Sequence, residues 1–597
     1  MSREFLPISL KDVKKRGWSG LDVIIISGDA YVDHHSYGAA VIGRVLEASG
    51  FYVGIIAQPD WRSKRDFMKL GKPRLFFGIT SGNTDSMIAN YTANKRRRLF
   101  DQYSPGNRAG LRPDRAVIVY ANRVREIFGD VPIVIGGIEA SLRRLIHYDY
   151  WDNCLRRSIL IDSRADILVY GMGEQQVVEI ARRLDKGITA DCLDGIRGTA
   201  VVRKDLNRLG DYLNIPSFEE IISSKDKYNQ AFIKMYGQMN PLRAKTVIQQ
   251  HGRRWVVVFP PALPLSSGEL DKIYELPYAG YCHSVYDNQR GVKGFETVRF
   301  SLTSHRGCCG ECSFCALYFH QGRIVQSRSI ESLEREARAL SKKEGFKGTI
   351  TDIGGPTANM YAMECNLWID KNFCRGKKCL IPKKCEGLKV GYKKSLEMYR
   401  RIRKIPGIKH LFIASGMRYD LLTEDYARQY LEEVCKYHVS GQLKVAPEHC
   451  SDSVLGVMNK PPFSVYEKFL KIFSDTVKRV KKNLFLVNYF ITAHPASSLD
   501  EALKLSLYLS QKGICPEQIQ DFIPAPMTLS SCIYWTGKDP FSQKDIYVPK
   551  TFRERKMQRA LLQYNNPANE RLIREALFKL KAQDRLPRLM KRRKARK

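Results

Sequence analysis

The stretch Ser304-His305-Arg306-Gly307-Cys308-Cys309-Gly310-Glu311-Cys312-Ser313-Phe314-Cys315-Ala316-Leu317 decides how the rest of the chain is read. Cys308, Cys312 and Cys315 form a C-x3-C-x2-C pattern, with the aromatic Phe314 directly before the last thiol. Three soft ligands in so short a loop suit an iron-sulfur cluster. A [4Fe-4S] cluster built for electron carriage takes four thiolates, so three leave one iron open to another ligand. Cys309, Cys312 and Cys315 also read C-x2-C-x2-C, the opening of a bacterial ferredoxin run. That run continues with a further cysteine and a proline, and here Phe319 and His320 stand at those places.

Outward from this loop, short apolar runs alternate with amphipathic helical spacing. Strands are expected over 297–302, 348–353, 410–414, 442–445, 484–490 and 518–523, with helices that include 329–341, 424–437, 465–480 and 499–511. Six βα units make a partial barrel within 296–540. The thiol loop then follows its first strand, at the carboxyl face where barrel active sites form. After the second strand, Gly354 and Gly355 allow a backbone to approach a ligand closely, although a tight turn alone also explains two glycines. Ser415 and Arg418 follow the third strand and Glu448 the fourth, as polar groups that face either a ligand or the fold itself.

An insertion over 357–390 holds Cys365, Cys374, Cys379 and Cys385. Their spacings, x8, x4 and x5, are not those of a zinc ribbon. Four thiolates can still close a structural zinc site or a second [4Fe-4S] cluster, and unliganded core thiols are the alternative.

Residues 1–190 read as a doubly wound α/β domain, with buried-type strands at 21–27, 52–57, 75–79, 131–135 and 167–170 and helices between them. The corners Gly28-Asp29 and Gly136-Gly137 fall at strand carboxyl ends, where such folds bind ligands. Asp33, His35 and Gly38 fit D-x-H-x-x-G, a pattern by which some cobalamin domains ligate cobalt through His. Residues 191–295 read as a connecting α/β segment without chemistry, and 541–597 as a helical, basic tail that ends in KRRKARK.

The chain has 597 residues, 44% of them hydrophobic, enough for several packed domains. Neither a signal-like apolar core near the start nor an apolar run long enough for a membrane span is present, so the expected place is the cytoplasm, with its 15 cysteines reduced. A net charge of +36 points to a nucleic-acid partner or to widely spread solvated basic faces.

The loop RGCCGECSFCAL at Arg306 resembles the signature of radical S-adenosylmethionine (SAM) enzymes. GDAYVDHHSYG at Gly28, VIGGIEASLRR at Val134, DIGGPTANMY at Asp352, LKVAPEHCSDSVLGVMNKP at Leu443 and QDFIPAPMTLSS at Gln520 carry the resemblance, over nearly the whole chain, to the YgiQ-type family of radical SAM proteins. The resemblance implies a cobalamin-binding-like first domain, a radical SAM barrel and a basic extension. Relatives usually carry Asp-His-Pro-Ser where this chain has Asp33-His34-His35-Ser36, so cobalt ligation by His35 is not expected. It further implies that Cys308, Cys312 and Cys315 hold the cluster. Gly354 and Gly355 would meet the SAM amino group, Ser415 and Arg418 its carboxylate, and Glu448 its ribose. The expected chemistry is cleavage of SAM to a 5'-deoxyadenosyl radical that takes hydrogen from an unknown substrate, fed by a donor such as flavodoxin or ferredoxin. Val454 to Met458 is similar to a phrase of the methylthiotransferases that modify transfer RNA, which makes RNA the first substrate to consider. The competing class is a nucleic-acid-binding or redox-sensing protein with a structural cluster.

Overall fold

The β-branched run after Leu21 forms strand β1 (Val23–Ser27), buried along its whole length. It lies between two parallel neighbours, β2 (Val53–Ala57) and β3 (Phe76–Thr80). A strand hydrogen-bonded on both edges and covered on both faces has no solvated side, which is why its sequence shows no alternation. β4 (Ile133–Gly136) and β5 (Ile167–Val169) continue the parallel set. The order β2-β1-β3-β4-β5 is that of flavodoxin-like doubly wound sheets.

Residues 191–295 extend this sheet. β6 (Thr199–Arg203) runs antiparallel to β5, and β9 (Arg254–Val258), β8 (Thr246–His251) and β7 (Tyr212–Asn214) follow outward, for nine strands in all. Helices α1 (Gly38–Ala48), α2 (Ala116–Phe128) and α3 (Glu174–Asp185) flank the parallel part. Val23, Ile25, Val53 and Ile55 of the sheet meet Leu46 of α1 and Val177 and Ile180 of α3 in one core.

The computed structural model describes residues 4–369, 378–516 and 519–590. Two compact units divide it, Met1–Leu302 with Phe319–Lys343, and Thr303–Tyr318 with Glu344–Lys597. Cys374 and the final KRRKARK lie outside the described residues.

The second unit follows strand β10 (Ser301–Thr303). Its strands run in chain order: β11 (Thr349–Ile350) with β12 (Asp352–Gly354), then β13 (His410–Leu411), β14 (Gln442–Glu448), β15 (Phe485–Thr492) and β16 (Ile519–Asp521). Ser304 N–H donates to the Gly354 carbonyl at 2.7 Å, β11 pairs parallel with β13, and Met417 bridges Val445. β14, β15 and β16 pair in parallel, so this is the expected six-step partial barrel.

Several boundaries differ from those expected. The chain over 297–300 is turned, with Arg299 N–H on the Phe295 carbonyl, so the first strand starts only at Ser301. The third strand stops at Leu411 because the Asp352 carboxylate intercepts the Ala414 and Ser415 N–H groups, at 2.7 and 3.0 Å. The expected helix 424–437 breaks into a 3-10 turn, a short helix and a π turn over Val434–His438. His438 closes that turn by donating from Nδ1 to the Leu411 carbonyl at 2.8 Å.

Helices α4 (Asp452–Met458), α5 (Phe463–Val480), α6 (Leu499–Lys512) and α7 (Leu529–Thr536) accompany the later strands. Ser498 caps α6 by accepting from Glu501 N–H, and Gly513 ends it in the left-handed conformation. In the basic tail, α8 (Phe552–Leu562) and α9 (Glu570–Lys579) bury Met557, Leu561, Ile573 and Leu577 against Leu505 and Leu509 of α6. The described part of the tail is therefore a packed layer of the second unit.

Candidate metal centre

The thiol loop is fixed at both flanks by backbone and hydroxyl contacts. Ser313 N–H donates to the Met458 carbonyl at 3.0 Å and its Oγ to the Val457 carbonyl at 2.7 Å. Asn459, in the left-handed conformation that ends α4, donates from Nδ2 to the Glu311 carbonyl at 2.6 Å. The Val454 to Met458 phrase thus supplies the shelf that carries the loop. On its other side Ser530, in α7, donates to Ser313 Oγ at 2.8 Å, and its own backbone N–H bonds the Ser313 carbonyl. Phe314 packs edge-on to His494, with 6.0 Å between ring centroids.

Cys308, Cys312 and Cys315 face one another closely enough to repel as thiolates. Burial, then the neighbouring thiols, pushes Cys315 up to about 12, and Cys308 rises for the same reasons. Without a cation such thiols stay protonated, and a bound metal reverses this by taking the thiolate as ligand. Arg418 is the cation at hand. Its Nη1 reaches Cys312 Sγ at 3.6 Å, and a Cβ on Gly310 would stand 2.4 Å from that nitrogen and 3.4 Å from Cys308 Sγ. Only glycine lets the guanidinium pass there. Among the described residues, no three His, Cys, Asp or Glu close on a single ion. The three thiols are near enough to influence one another without closing on one ion, which suits a cluster whose ligands bind different irons. The donor set of soft, half-buried thiols beside a cation fits an iron-sulfur cluster.

The polar residues expected at the barrel mouth are gathered there, with partners from the chain itself. The Ser415 hydroxyl donates to Asp352, and Arg418 gives Nε and Nη2 to Asp420 at 3.0 and 2.7 Å. The hydroxyl proton and the guanidinium's forked edge are thus engaged by carboxylates of the chain, and Nη1 of Arg418 is left towards Cys312. The Gly354 carbonyl accepts from both Ser304 N–H and Ser304 Oγ. Gly355 must be glycine, because a Cβ there would lie 2.6 Å from the His305 carbonyl and 2.7 Å from its Nε2. Burial pushes His305 down to about 4, which keeps it neutral.

Glu448 ends β14 with φ +68, a left-handed backbone that is costly for a side chain of its size. Its carboxylate is buried, with Lys460 Nζ 3.6 Å away, and burial raises its pKa against the pull of that ammonium. Lys460 also donates to the Ala446 carbonyl at 2.7 Å. Asp352, Asp420, Lys460 and Ser530 were not legible as site residues, because each is defined by a partner distant in sequence.

A second set of thiols adjoins the first. Cys309 is fully buried, hydrogen-bonds Cys379, and lies 3.3 Å from Met363 Sδ. Cys385 N–H donates to the Cys379 carbonyl at 2.8 Å. A Cβ on Gly387 would sit 3.8 and 4.0 Å from the Cys365 and Cys385 sulfurs. Cys365 stands opposite Leu388 in a two-stranded ribbon, Glu364–Cys365 with Leu388–Lys389. Cys309 is thus partnered by Cys379 and Met363 of the insertion side.

In the first unit, the crevice between β1 and β3 is filled. Asp29 pairs with Arg112 at 2.7 Å, Arg112 reaches Asp101 at 3.2 Å, and a Cβ on Gly82 would stand 2.0 Å from Asp29 Oδ1. Asp33 pairs with Arg44. His35 Nε2 lies 3.1 Å from Glu336, so its ring is already engaged within the protein. At the second corner, Glu139 accepts from Ser86 and from Val117 N–H.

Residues 5–301 match the Radical SAM N-terminal family, 302–505 the Radical SAM superfamily, and 517–586 a domain of unknown function, DUF3362. The chain is a radical SAM enzyme, a class that works with a [4Fe-4S] cluster and SAM. It belongs to the UPF0313, or YgiQ, family. It is 50% identical over 581 residues to a UPF0313 protein of Clostridium botulinum (strain 657 / Type Ba4), covering 97% of this chain and 91% of that one. A UPF0313 protein of Methanocella arvoryzae is 49% identical, with 96% and 95% covered. Among solved structures, the radical SAM methyltransferase TsrM of Kitasatospora setae superposes with a TM-score of 0.47 at 15% identity, over 86% of this chain and 76% of that one. Among the described residues no helix is long and apolar enough to cross a membrane.

Proposed function

We propose that Cys308, Cys312 and Cys315 hold the [4Fe-4S] cluster and that the enzyme takes a hydrogen atom from an RNA substrate. The observation that carries the first part is the meeting of these three thiols beside Arg418, in a loop pinned by α4 and α7. When bound, the reduced cluster and SAM supply one electron and a 5'-deoxyadenosyl radical.

The chain's own residues do the positioning. Arg418 balances thiolate charge through Nη1 while Asp420 fixes its other edge. Asp352 organises the Ala414 and Ser415 amides at the barrel mouth. With the Gly354 carbonyl used by Ser304, the SAM amino group falls to Gly355. Glu448, desolvated and placed by Lys460, supplies the ribose acceptor. Cys365, Cys379 and Cys385, with Cys374 outside the described residues, are proposed to hold a second metal, zinc or a further cluster. Metal that persists in a Cys312→Ala variant and disappears on adding Cys379→Ala supports that site, and a metal-free Cys312→Ala protein refutes it.

The net charge of +36 supports RNA as the substrate class. Binding of bulk transfer RNA is then expected to weaken steeply as salt rises, because each neutralised phosphate releases counterions. A flat salt response removes RNA from the proposal. Flavodoxin or ferredoxin is the class of reductant proposed.

A further inference from the structure

Two short antiparallel bridges in the first unit each set an aromatic ring opposite an arginine, and they are finished differently. Tyr91 bridges Arg97, and Phe100 bridges Arg108. Residues directly opposite one another in an antiparallel pair send their side chains to the same face. In the first pair the contact is closed: the Arg97 guanidinium lies 5.0 Å from the Tyr91 ring centroid and reaches Asp114 at 3.4 Å. The second pair is open. Phe100 is 66% exposed, and the exposed Arg108 guanidinium makes neither ion pair nor ring contact among the described residues.

The backbone around the open pair is fixed. Arg98 N–H donates to the Asn90 carbonyl at 2.8 Å, Asp101 N–H to that of Asn107 at 3.2 Å, and Gly106 N–H to that of Gly291 at 2.9 Å. Phe100 is thus held outward by a chain anchored on both sides. Leu99 beside it is 81% exposed, the most of any large apolar side chain among the described residues. Two such side chains in succession on an anchored backbone mark a surface made for contact.

The charge around them has one sign. From Asn94 to Arg108 there are five basic residues and a single acid, Asp101, which is buried and already paired with Arg112. Arg98 gives Nε to the Ile88 and Tyr91 carbonyls at 3.0 and 3.1 Å, and neither it nor the exposed Arg96 has an ion pair among the described residues. Surface arginines elsewhere in this unit do find carboxylates, as Arg74 does in Asp22 and Asp185, and Arg157 in Asp162. An exposed ring facing an exposed guanidinium suits a nucleobase, which stacks on both, and the neighbouring arginines suit its phosphates. A duplex hides its base faces, so the fit is to a single strand.

We infer that residues 94–108 form a docking surface for single-stranded RNA, with a base stacked between Phe100 and Arg108 and phosphates on Arg96 and Arg98. This surface deepens the RNA reading proposed above and rests on it. Fluorescence anisotropy of the full-length protein with a labelled oligouridylate of about 12 nucleotides tests it, with bulk transfer RNA in parallel. The parent is expected to bind both. Phe100→Ala is expected to weaken oligouridylate binding about tenfold and to leave its salt slope unchanged, since it removes stacking and no charge. Arg96→Gln is expected to flatten the slope of log affinity against log salt by about 0.7, the share of one neutralised phosphate on a single strand. Lys204→Gln, which removes an exposed charge elsewhere in the unit, keeps both affinity and slope. Parent-like affinity in Phe100→Ala, an unchanged slope in Arg96→Gln, or a parent that binds transfer RNA and ignores the oligouridylate overturns this surface and leaves the RNA reading standing. A parent that binds neither RNA removes that reading and the surface with it.

Discussion

At the carboxyl end of β1, Asp29, Arg112 and Asp101 neutralise one another, whereas in the loop after β10 three thiols gather beside one guanidinium. Both places are strand ends in α/β architecture, where ligands usually bind. In the first, every strong charge has a partner from the chain and the glycines are packed against those side chains. In the second, the thiols repel, and Arg418 is shared with Asp420. A strand end closed by its own charges has become structure, and one that leaves like groups facing one another is built to take something in.

The largest effect that sharpens this contrast concerns ligand identity. Cys308→Ala is expected to lose most of the cluster iron, while Cys309→Ala keeps the cluster, because Cys309 turns towards Cys379. Iron and sulfide analysis after anaerobic reconstitution checks it, and the reverse pattern restores the ferredoxin-like set. On the closed side, Arg112→Met leaves Asp29 and Asp101 buried without their cation and is expected to cost about 3–5 kcal/mol. A melting temperature equal to the parent's contradicts the view that this network holds the carboxyl end of β1 together.

A smaller effect separates the two regions by pH. Burial holds His305 and His449 down at about 4 and His494 at about 3, so all three stay neutral in the fold. As pH falls from about 6.5 to 4 the unfolded chain binds protons that the fold refuses, and each contributes a loss of up to about 3 kcal/mol. Asp29 moves the other way. Burial raises it to about 6, so between about pH 6 and 4 the fold holds a proton that the unfolded chain lacks, and its contribution grows as pH falls. Hydrogen exchange is therefore expected to show the carboxyl ends of β14 and β15, beside His449 and His494, loosening on acidification more than the carboxyl end of β1 beside Asp29, while buried His34 and His147, also held down, loosen their own segments of the first unit. Equal loosening of both sets opposes this assignment.

The alternation of apolar runs and helices was enough to read both α/β layouts, because buried parallel strands need β-branched residues whatever surrounds them. The C-x3-C-x2-C pattern was legible for a similar reason, since its three thiols lie in one loop. Strand ends were not: the third strand stops where Asp352, distant in sequence, takes its amides. The contacts of Arg418 with Asp420 and Cys312 were not legible, because a place after the third strand does not say which edge of the guanidinium is taken. The Cys309 to Cys379 contact joins two segments that no spacing rule relates.

The central claim rests on SAM cleavage by a cluster at Cys308, Cys312 and Cys315. Reconstituted protein incubated anaerobically with SAM and dithionite is expected to form 5'-deoxyadenosine and methionine, with Cys312→Ala at background. Equal product from parent and Cys312→Ala, or none from a parent that carries its full cluster, contradicts it.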